Sequence, residues 1–245
     1  MRACNIKFGC SLYFFSFIKV PFFYLFLKQC KNKMIDNGLA FCEIPVWNTF
    51  TVREAKEIRK IVEPEILSIS VHLPKDMGPE KVLEAKELLN GIFELHPEIA
   101  VIHIPLNRFS IGAWYKLRDV FRNAGCDLCI EYLPYSSESA FIYELDNVPL
   151  VLDFYHCANG GKSIENVISH FSSRIHHVHL NDFSQQSTSS LCPGDGELDL
   201  QKYVDMLSEI GYKGFYMLEG SCQQEERCES IISFCKSLER RNNET

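Results

Sequence analysis

The sequence predicts an α/β protein whose eight parallel strands close into a (β/α)8 TIM barrel. It is read as a single domain over residues 1–245, with a frayed polar tail at about 241–245. Three observations predict this. Short apolar runs alternate with helix-like segments eight times. The runs are largely apolar, as in parallel sheets buried on both faces. The chain of 245 residues has the length that eight such units need. An open doubly wound sheet would usually carry a Gly-rich phosphate loop after its first strand, and no GxGxxG occurs there.

The elements follow in order. A strand is predicted over 6–15 and a helix over 21–37. The helix opens at Pro21, whose missing N–H needs no partner at a helix start, and stops at Gly38. LAFCEIPV is the second strand. Thr51 caps the helix VREAKEIRKIV, with Glu54 as its capping-box partner. ILSISVHLP leads to a helix over 79–95, with Val82, Leu88, Leu89 and Ile92 at helical spacing. IAVIHIPL precedes a helix over 111–123. CDLCIEYLP precedes a short one near 138–145, and VPLVLDFYH one over 163–171. RIHHVHL runs into a Ser- and Gln-rich loop, then a helix over 199–210 ended by Gly211. GFYMLEG and a charged helix over 225–240 complete the set.

Composition narrows the function classes. A formal net charge of −7 argues against a nucleic-acid partner, because phosphate contacts need a basic footprint. The aromatic segment near the N-terminus is interrupted by Lys19 and Pro21, so it reads as strand and helix and not as a membrane span. No small-x-small cleavage site follows it, which argues against an exported chain. That segment also offers cover for a subunit contact in a homo-oligomer. The 11 cysteines are odd in number and scattered, with Cys42 and Cys129 inside strand runs. This fits buried free thiols in a reducing, cytoplasmic compartment. Cys126 and Cys129 form a lone CxxC, a weak zinc signal without a second pair.

Six consecutive strand runs end in a residue that can bind a metal: His72, His103, Glu131, Asp153, His179 and Glu219. A lone His at a strand end is more often a hydrogen-bonded structural residue, so the argument rests on the coincidence. In a parallel barrel all strand C-termini meet on one face, and ionisable residues inside strands are costly unless paired or metal-bound. Glu131 and Glu219 are flanked by apolar residues, and a nearby divalent cation would keep them ionised. His156 lies just past the sixth run, placed to bind metal or substrate or to orient a ligand. Period two puts His177 and His179 on one face, with His179 nearer the exit and His177 deeper. Asp182 is placed to hold a His ring or contact substrate. Lys75 and Arg108 lie on βα loops and are candidates for substrate contact, although such loop charges are more often simply solvated. PGDG at 193–196 is expected to make a tight turn. Mixed imidazole and carboxylate donors suit Zn²⁺, Mn²⁺, Co²⁺ or Fe²⁺. The donors exceed one tetrahedral shell, so one or two ions are expected, with Glu131 as the bridge.

The segments SVHLP, VIHIP, IEY, LDFYHCA, HVHLND, PGDGELD and LEG resemble the xylose isomerase-like TIM-barrel superfamily. That group includes sugar and sugar-phosphate isomerases and epimerases and endonuclease IV. The resemblance begins at the third strand, and LDxxH and HxHLND are its most specific parts. In the epimerase branch it implies one metal on Glu131, Asp153, His179 and Glu219. The two glutamates there exchange a proton beside a carbonyl, and His156 contacts substrate. In the endonuclease branch it implies a first zinc on His72, His103 and Glu131, a second on Glu131, Asp153, His179 and Glu219, and His156 at a third. The Asp-Arg-His segment that completes the third site is missing: the loop reads FSQQSTSSLCPGDG, with no His. Small-molecule phosphodiesterases such as the cobamide-remodelling enzymes are a further relative.

The expectation is a divalent-metal-dependent enzyme acting on a small polyhydroxylated or phosphorylated metabolite by isomerase or epimerase chemistry. Glu131 and Glu219 are its acid/base pair. Phosphodiester hydrolysis at two metals is the runner-up, with His72 and His103 on the second ion. A non-catalytic ligand-binding barrel is the third alternative.

Overall fold

The computed structural model describes residues 7–15, 23–39, 41–63, 68–103, 110–134, 142, 143, 145, 147–222 and 224–241. Outside them lie Arg108, Cys4, the predicted helix start at 21–22, most of the helix predicted near 138–145, and the tail from 242. The strands are β1 (Lys7–Ser11), β2 (Phe41–Pro45), β3 (Ser68–His72), β4 (Ile99–Ile102), β5 (Asp127–Glu131), β6 (Leu150–Asp153), β7 (Ile175–Leu180) and β8 (Phe215–Leu218). They form a closed barrel in sequence order, each parallel to the next. β1 pairs with β8 through Lys7 opposite Phe215 and Cys10 opposite Leu218. The predicted fold class is the one observed.

The described helices outside the barrel are α1 (Phe23–Asp36), α2 (Val52–Val62), α3 (Pro79–Glu84), α4 (Lys86–Glu94), α5 (Ile111–Asn123), α6 (Phe154–Asn159), α7 (Ile164–Phe171), α8 (Leu200–Glu209) and α9 (Glu225–Arg241). Thr51 and Glu54 form the expected capping box on α2. Ser163 caps α7 and Asp199 caps α8 through side-chain oxygens that accept backbone N–H groups.

Side chains alternate between two cores. Ile44, Val71, Ile102, Ile130, Leu152 and Val178 point outward into the layer under the helices. Phe41, Ile99, Val101, Cys129, Val151 and Met217, from five strands, form a separate buried cluster inside the barrel. Phe41 stacks on Phe215 with ring centroids 3.7 Å apart. On β1 the residue opposite Phe41 is Gly9. A Cβ there would lie 2.6 Å from Phe41 Cδ1 and 2.7 Å from Phe41 O. Only glycine lets the aromatic plug seat.

Two residues beyond this plug, the same inward face carries polar groups, because strand side chains repeat with period two. Phe41 leads to Glu43, Val101 to His103, Cys129 to Glu131, Val151 to Asp153 and Met217 to Glu219. Ser70 leads to His72 and His177 to His179. The apolar plug is the floor of a polar cup at the strands' C-terminal end.

Three segments differ from the expected reading. Residues 12–15 form a 3-10 turn and not the end of a strand. The helix expected over 79–95 breaks at Ala85, which has ψ 67°. The break lets α3 pack on α5 while α4 packs on α2. Residues 154–156, read as strand, open α6: the Asp153 carboxylate accepts the His156 N–H at 2.6 Å and caps the helix.

All ten described cysteines are buried and free, Cys126 and Cys129 among them. Burial raises both of those thiols above their ordinary pKa. No described helix is long and apolar enough to cross a membrane.

Gly9→Ala is expected to cost about 1–3 kcal/mol of stability, because one of the clashing atoms is backbone and has no rotamer escape. A lowered thermal melting point reads this out. Gly112→Ala is the control, since its new Cβ would meet only Ser110 Oγ at 3.7 Å. Its melting point should stay unchanged or rise slightly.

Candidate functional site

The closed barrel gathers His72, His103, Glu131, Asp153, His156, His179 and Glu219 at one end. Glu131 is the hub. Its Oε2 lies 3.2 Å from His72 Nε2 and in contact with His103 Nε2. Its Oε1 lies 3.3 Å from His156 Nε2 and 3.5 Å from His179 Nδ1. His179 is the second centre. Its Nδ1 also faces Asp153 Oδ2 and Glu219 Oε2, each at 3.6 Å, and its Nε2 faces Glu43 Oε2 at 3.5 Å.

Two members of this set escaped the sequence reading. Glu43, 1% exposed, sits two residues past Phe41 on the inward face of β2. It accepts a hydrogen bond from Ser70 Oγ at 3.0 Å and lies 3.5 Å from His177 Nε2. Period two from Phe41 would have found it. Asn181, in the HLND segment, donates from Nδ2 to Asp153 Oδ2 at 2.7 Å and lies 3.5 Å from Glu219 Oε2. Its Oδ1 accepts the Tyr155 N–H at 2.7 Å. It therefore locks β6, α6 and the loop after β7 into one geometry. The same alternation along 177, 179 and 181 marks it.

The other candidates are placed as follows. His177 is deep, fully buried and next to Phe41, with ring centroids 5.7 Å apart. Lys75 joins Glu43, His72 and Glu219 around a cavity of about 270 Å³ that opens on the cup. Asp182 is turned away to the loop. Its Oδ1 accepts the N–H groups of Phe183 and Leu198, and its Oδ2 accepts that of Gly194. The carboxylate thus organises the PGDG turn. Gly196 is needed there, since a Cβ would lie 2.4 Å from Asp182 Oδ1 and 2.5 Å from Phe183 O.

Charge dominates the cup. Burial alone would raise Glu131, but His103, His179 and His72 hold it well below the usual carboxylate range. Burial likewise opposes Glu43, and His179, His177 and His72 pull it down. Glu219 goes the other way. Burial, assisted by Glu43, Asp153 and Glu131 and opposed by His179, pushes it up to about 7. Burial disfavours the charged form of His179, yet Glu219, Glu43, Asp153 and Glu131 raise it well above the ordinary histidine value. Burial keeps His177 low. The four carboxylates exceed the positive charge around them.

A divalent cation fits this set. His179 Nδ1 and Nε2 are buried and make no well-formed hydrogen bond among the described residues, although carboxylate oxygens face both. Donor atoms about 2.1 Å from one ion stand about 3.0–3.4 Å apart at octahedral to tetrahedral angles. The spacings of 3.5 and 3.6 Å around His179 Nδ1 are close to that. Asp153, His179 and Glu219 form one compact donor group, His72, His103 and Glu131 another, and Glu131, Asp153 and His156 a third.

Comparison with known proteins identifies the family of the barrel. A putative hydroxypyruvate isomerase of Streptomyces coelicolor is 31% identical over 75 residues, 31% of this chain and 25% of that protein. The inosose isomerase of Bacillus subtilis is 25% identical over 138 residues, 50% of each chain. The alignments thus span a quarter to a half of these relatives' lengths. A crystal structure of a D-tagatose 3-epimerase-like protein superposes with a TM-score of 0.76 at 19% identity, covering 98% of this chain and 99% of the other, which shows the fold. The sequence profile of the xylose isomerase-like TIM barrel matches residues 107–238, more than half of the chain and the part that carries Glu131, Asp153, His156, His179 and Glu219. The chain belongs to the xylose isomerase-like TIM barrel family.

Proposed function

We propose that this protein is a divalent-cation-dependent isomerase or epimerase of a small sugar or sugar phosphate. One observation carries the reading. Glu131 and Glu219 come from β5 and β8, on different sides of the barrel, and both reach His179 Nδ1, at 3.5 and 3.6 Å. A substrate carbon between them has a carboxylate on each side. The relatives' names support the substrate class: hydroxypyruvate and inosose are both α-hydroxy ketones.

The chemistry asks little beyond these groups. One carboxylate oxygen takes the proton from the carbon beside the carbonyl. The other carboxyl returns a proton, to the opposite face for epimerisation or to the neighbouring carbon for isomerisation, where the substrate's hydroxyl proton also passes to the former carbonyl oxygen. Glu131, Asp153, His179 and Glu219 would hold a divalent ion, which would supply polarisation of the substrate's carbonyl and hydroxyl oxygens. Asn181 fixes Asp153, and Asp153 in turn caps α6 and sets the position of His156 beside Glu131. His156 and Lys75 contact the substrate's oxygens in this reading, and Arg108, by its position in the sequence alone, is a candidate for the same task.

A second reading rests on a separate observation. His72 and His103 both meet Glu131 Oε2, a donor group that suits a second ion and hence phosphodiester hydrolysis.

Incubation with ketoses and aldoses in D2O should place deuterium at the carbon beside the carbonyl, read by mass spectrometry, only when Mn²⁺, Co²⁺, Zn²⁺ or Fe²⁺ is present. Glu131→Gln and Glu219→Gln should each reduce that exchange about 10²–10⁴-fold. An absence of exchange across the panel, together with metal-dependent cleavage of phosphodiesters, would show the isomerase reading to be wrong. The double variant His72→Ala/His103→Ala separates the two readings: exchange should survive it with a smaller loss, whereas two-metal hydrolysis would vanish. A protein that takes up no ion, and gains no thermal stability from one, would sink both.

A pH prediction follows from the crowded charges. Glu219 and His179 have folded pKa values raised above their unfolded ones. Each contributes stability that is full below the unfolded value and lost as pH rises through the folded one. For Glu219 that window runs from 4.5 to about 7. The melting point of metal-free protein should fall across it, and a saturating divalent ion should remove the slope.

A further inference from the structure

We propose that Glu43 is the positioning residue of the metal centre: lodged between Ser70 Oγ and the Nε2 atoms of His177 and His179, its carboxylate orients the His179 ring so that Nδ1 faces Glu131, Asp153 and Glu219. This rests on the metal-dependent reading above and adds a residue to it. Three observations support the assignment. Glu43 is 1% exposed inside the barrel, where a carboxylate without compensation is strongly penalised. Among the described residues its one well-formed hydrogen bond comes from a neutral hydroxyl, Ser70 Oγ at 3.0 Å, and two imidazoles, each 3.5 Å away, add compensation. The His179 ring is addressed from both ends, with Glu43 at Nε2 and three carboxylates at Nδ1.

A carboxylate beside Nε2 favours the tautomer that carries its proton there, which leaves the Nδ1 lone pair free for an ion. Outer carboxylates of this kind orient metal-bound imidazoles and raise their basicity. The register explains why β2 supplies it. Glu43 stands opposite Ser70 on β3 and Ser11 on β1, two small residues that leave room for it. His177, on the same face as His179 and one layer deeper, shares the carboxylate and closes the pocket from below.

Co²⁺ binding to the full-length protein tests the assignment, by competition with a chromophoric chelator and by the visible d–d spectrum. Native protein should bind Co²⁺ with a defined spectrum. Glu43→Leu should weaken binding about 10–100-fold and change the band pattern. Glu43→Gln should lie between, because its amide oxygen can still accept where Glu43 Oε2 does but brings no negative charge to the two rings, and Ser70→Ala should weaken binding less. Affinities and spectra of Glu43→Leu and Glu43→Gln matching the native protein's would overturn the assignment and leave the metal reading intact. If Glu43→Leu does not fold, native-like binding by both Glu43→Gln and Ser70→Ala overturns it equally. If native protein takes up no Co²⁺, the metal reading fails and this assignment fails with it.

Discussion

Four carboxylates, Glu43, Glu131, Asp153 and Glu219, point into one end of the barrel around the ring of His179. Two like charges about 4 Å apart repel by about 4 kcal/mol at an effective dielectric of 20, and burial adds its own penalty. A packed protein tolerates this only with counter-charge. Here the imidazoles supply part of it, and burial, with the neighbouring carboxylates, raises Glu219. The surrounding architecture serves this arrangement: an apolar plug that keeps the charges at one level, strands in register, and loops that hold the rim.

The plug and the cup are two layers of one pattern. Phe41, Val101, Cys129, Val151 and Met217 fill the barrel, and the next inward residues on the same strands are all acidic or imidazole groups. Bulk at one layer sets the height of the next. Gly9 gives Phe41 its space on β1, and Phe215 stacks against it from β8. The position of the chemistry is therefore fixed partly by residues that take no part in it.

The rim is built from polar side chains turned to structural use. Asp153 is a candidate ligand and at the same time the cap of α6, so the helix that carries His156 begins at the site itself. Asn181 ties Asp153 to Tyr155 and Glu219. Asp182, a candidate for substrate contact from its place in the sequence, spends both oxygens on the amides of the following loop. Adjacent residues in one short motif thus divide between the cup and the loop because successive side chains beyond a strand face opposite ways.

The sequence by itself determined the fold class, since eight apolar runs separated by amphipathic segments have one economical closure. It also determined most of the cup: His72, His103, Glu131, Asp153, His179 and Glu219 are legible because a costly residue recurs at the same point of successive strands. Tertiary structure decided the rest. Glu43 lies mid-strand in FCEIP, without a strand-end signal; period two puts it on the inward face, and closure of the barrel brings it to His179 on β7. The break at Ala85 depends on which helices α3 and α4 pack against, and the helix at Phe154–Asn159 depends on a cap that also reads as a ligand. Local pattern fixes which face a side chain takes, and barrel closure alone fixes what it meets there.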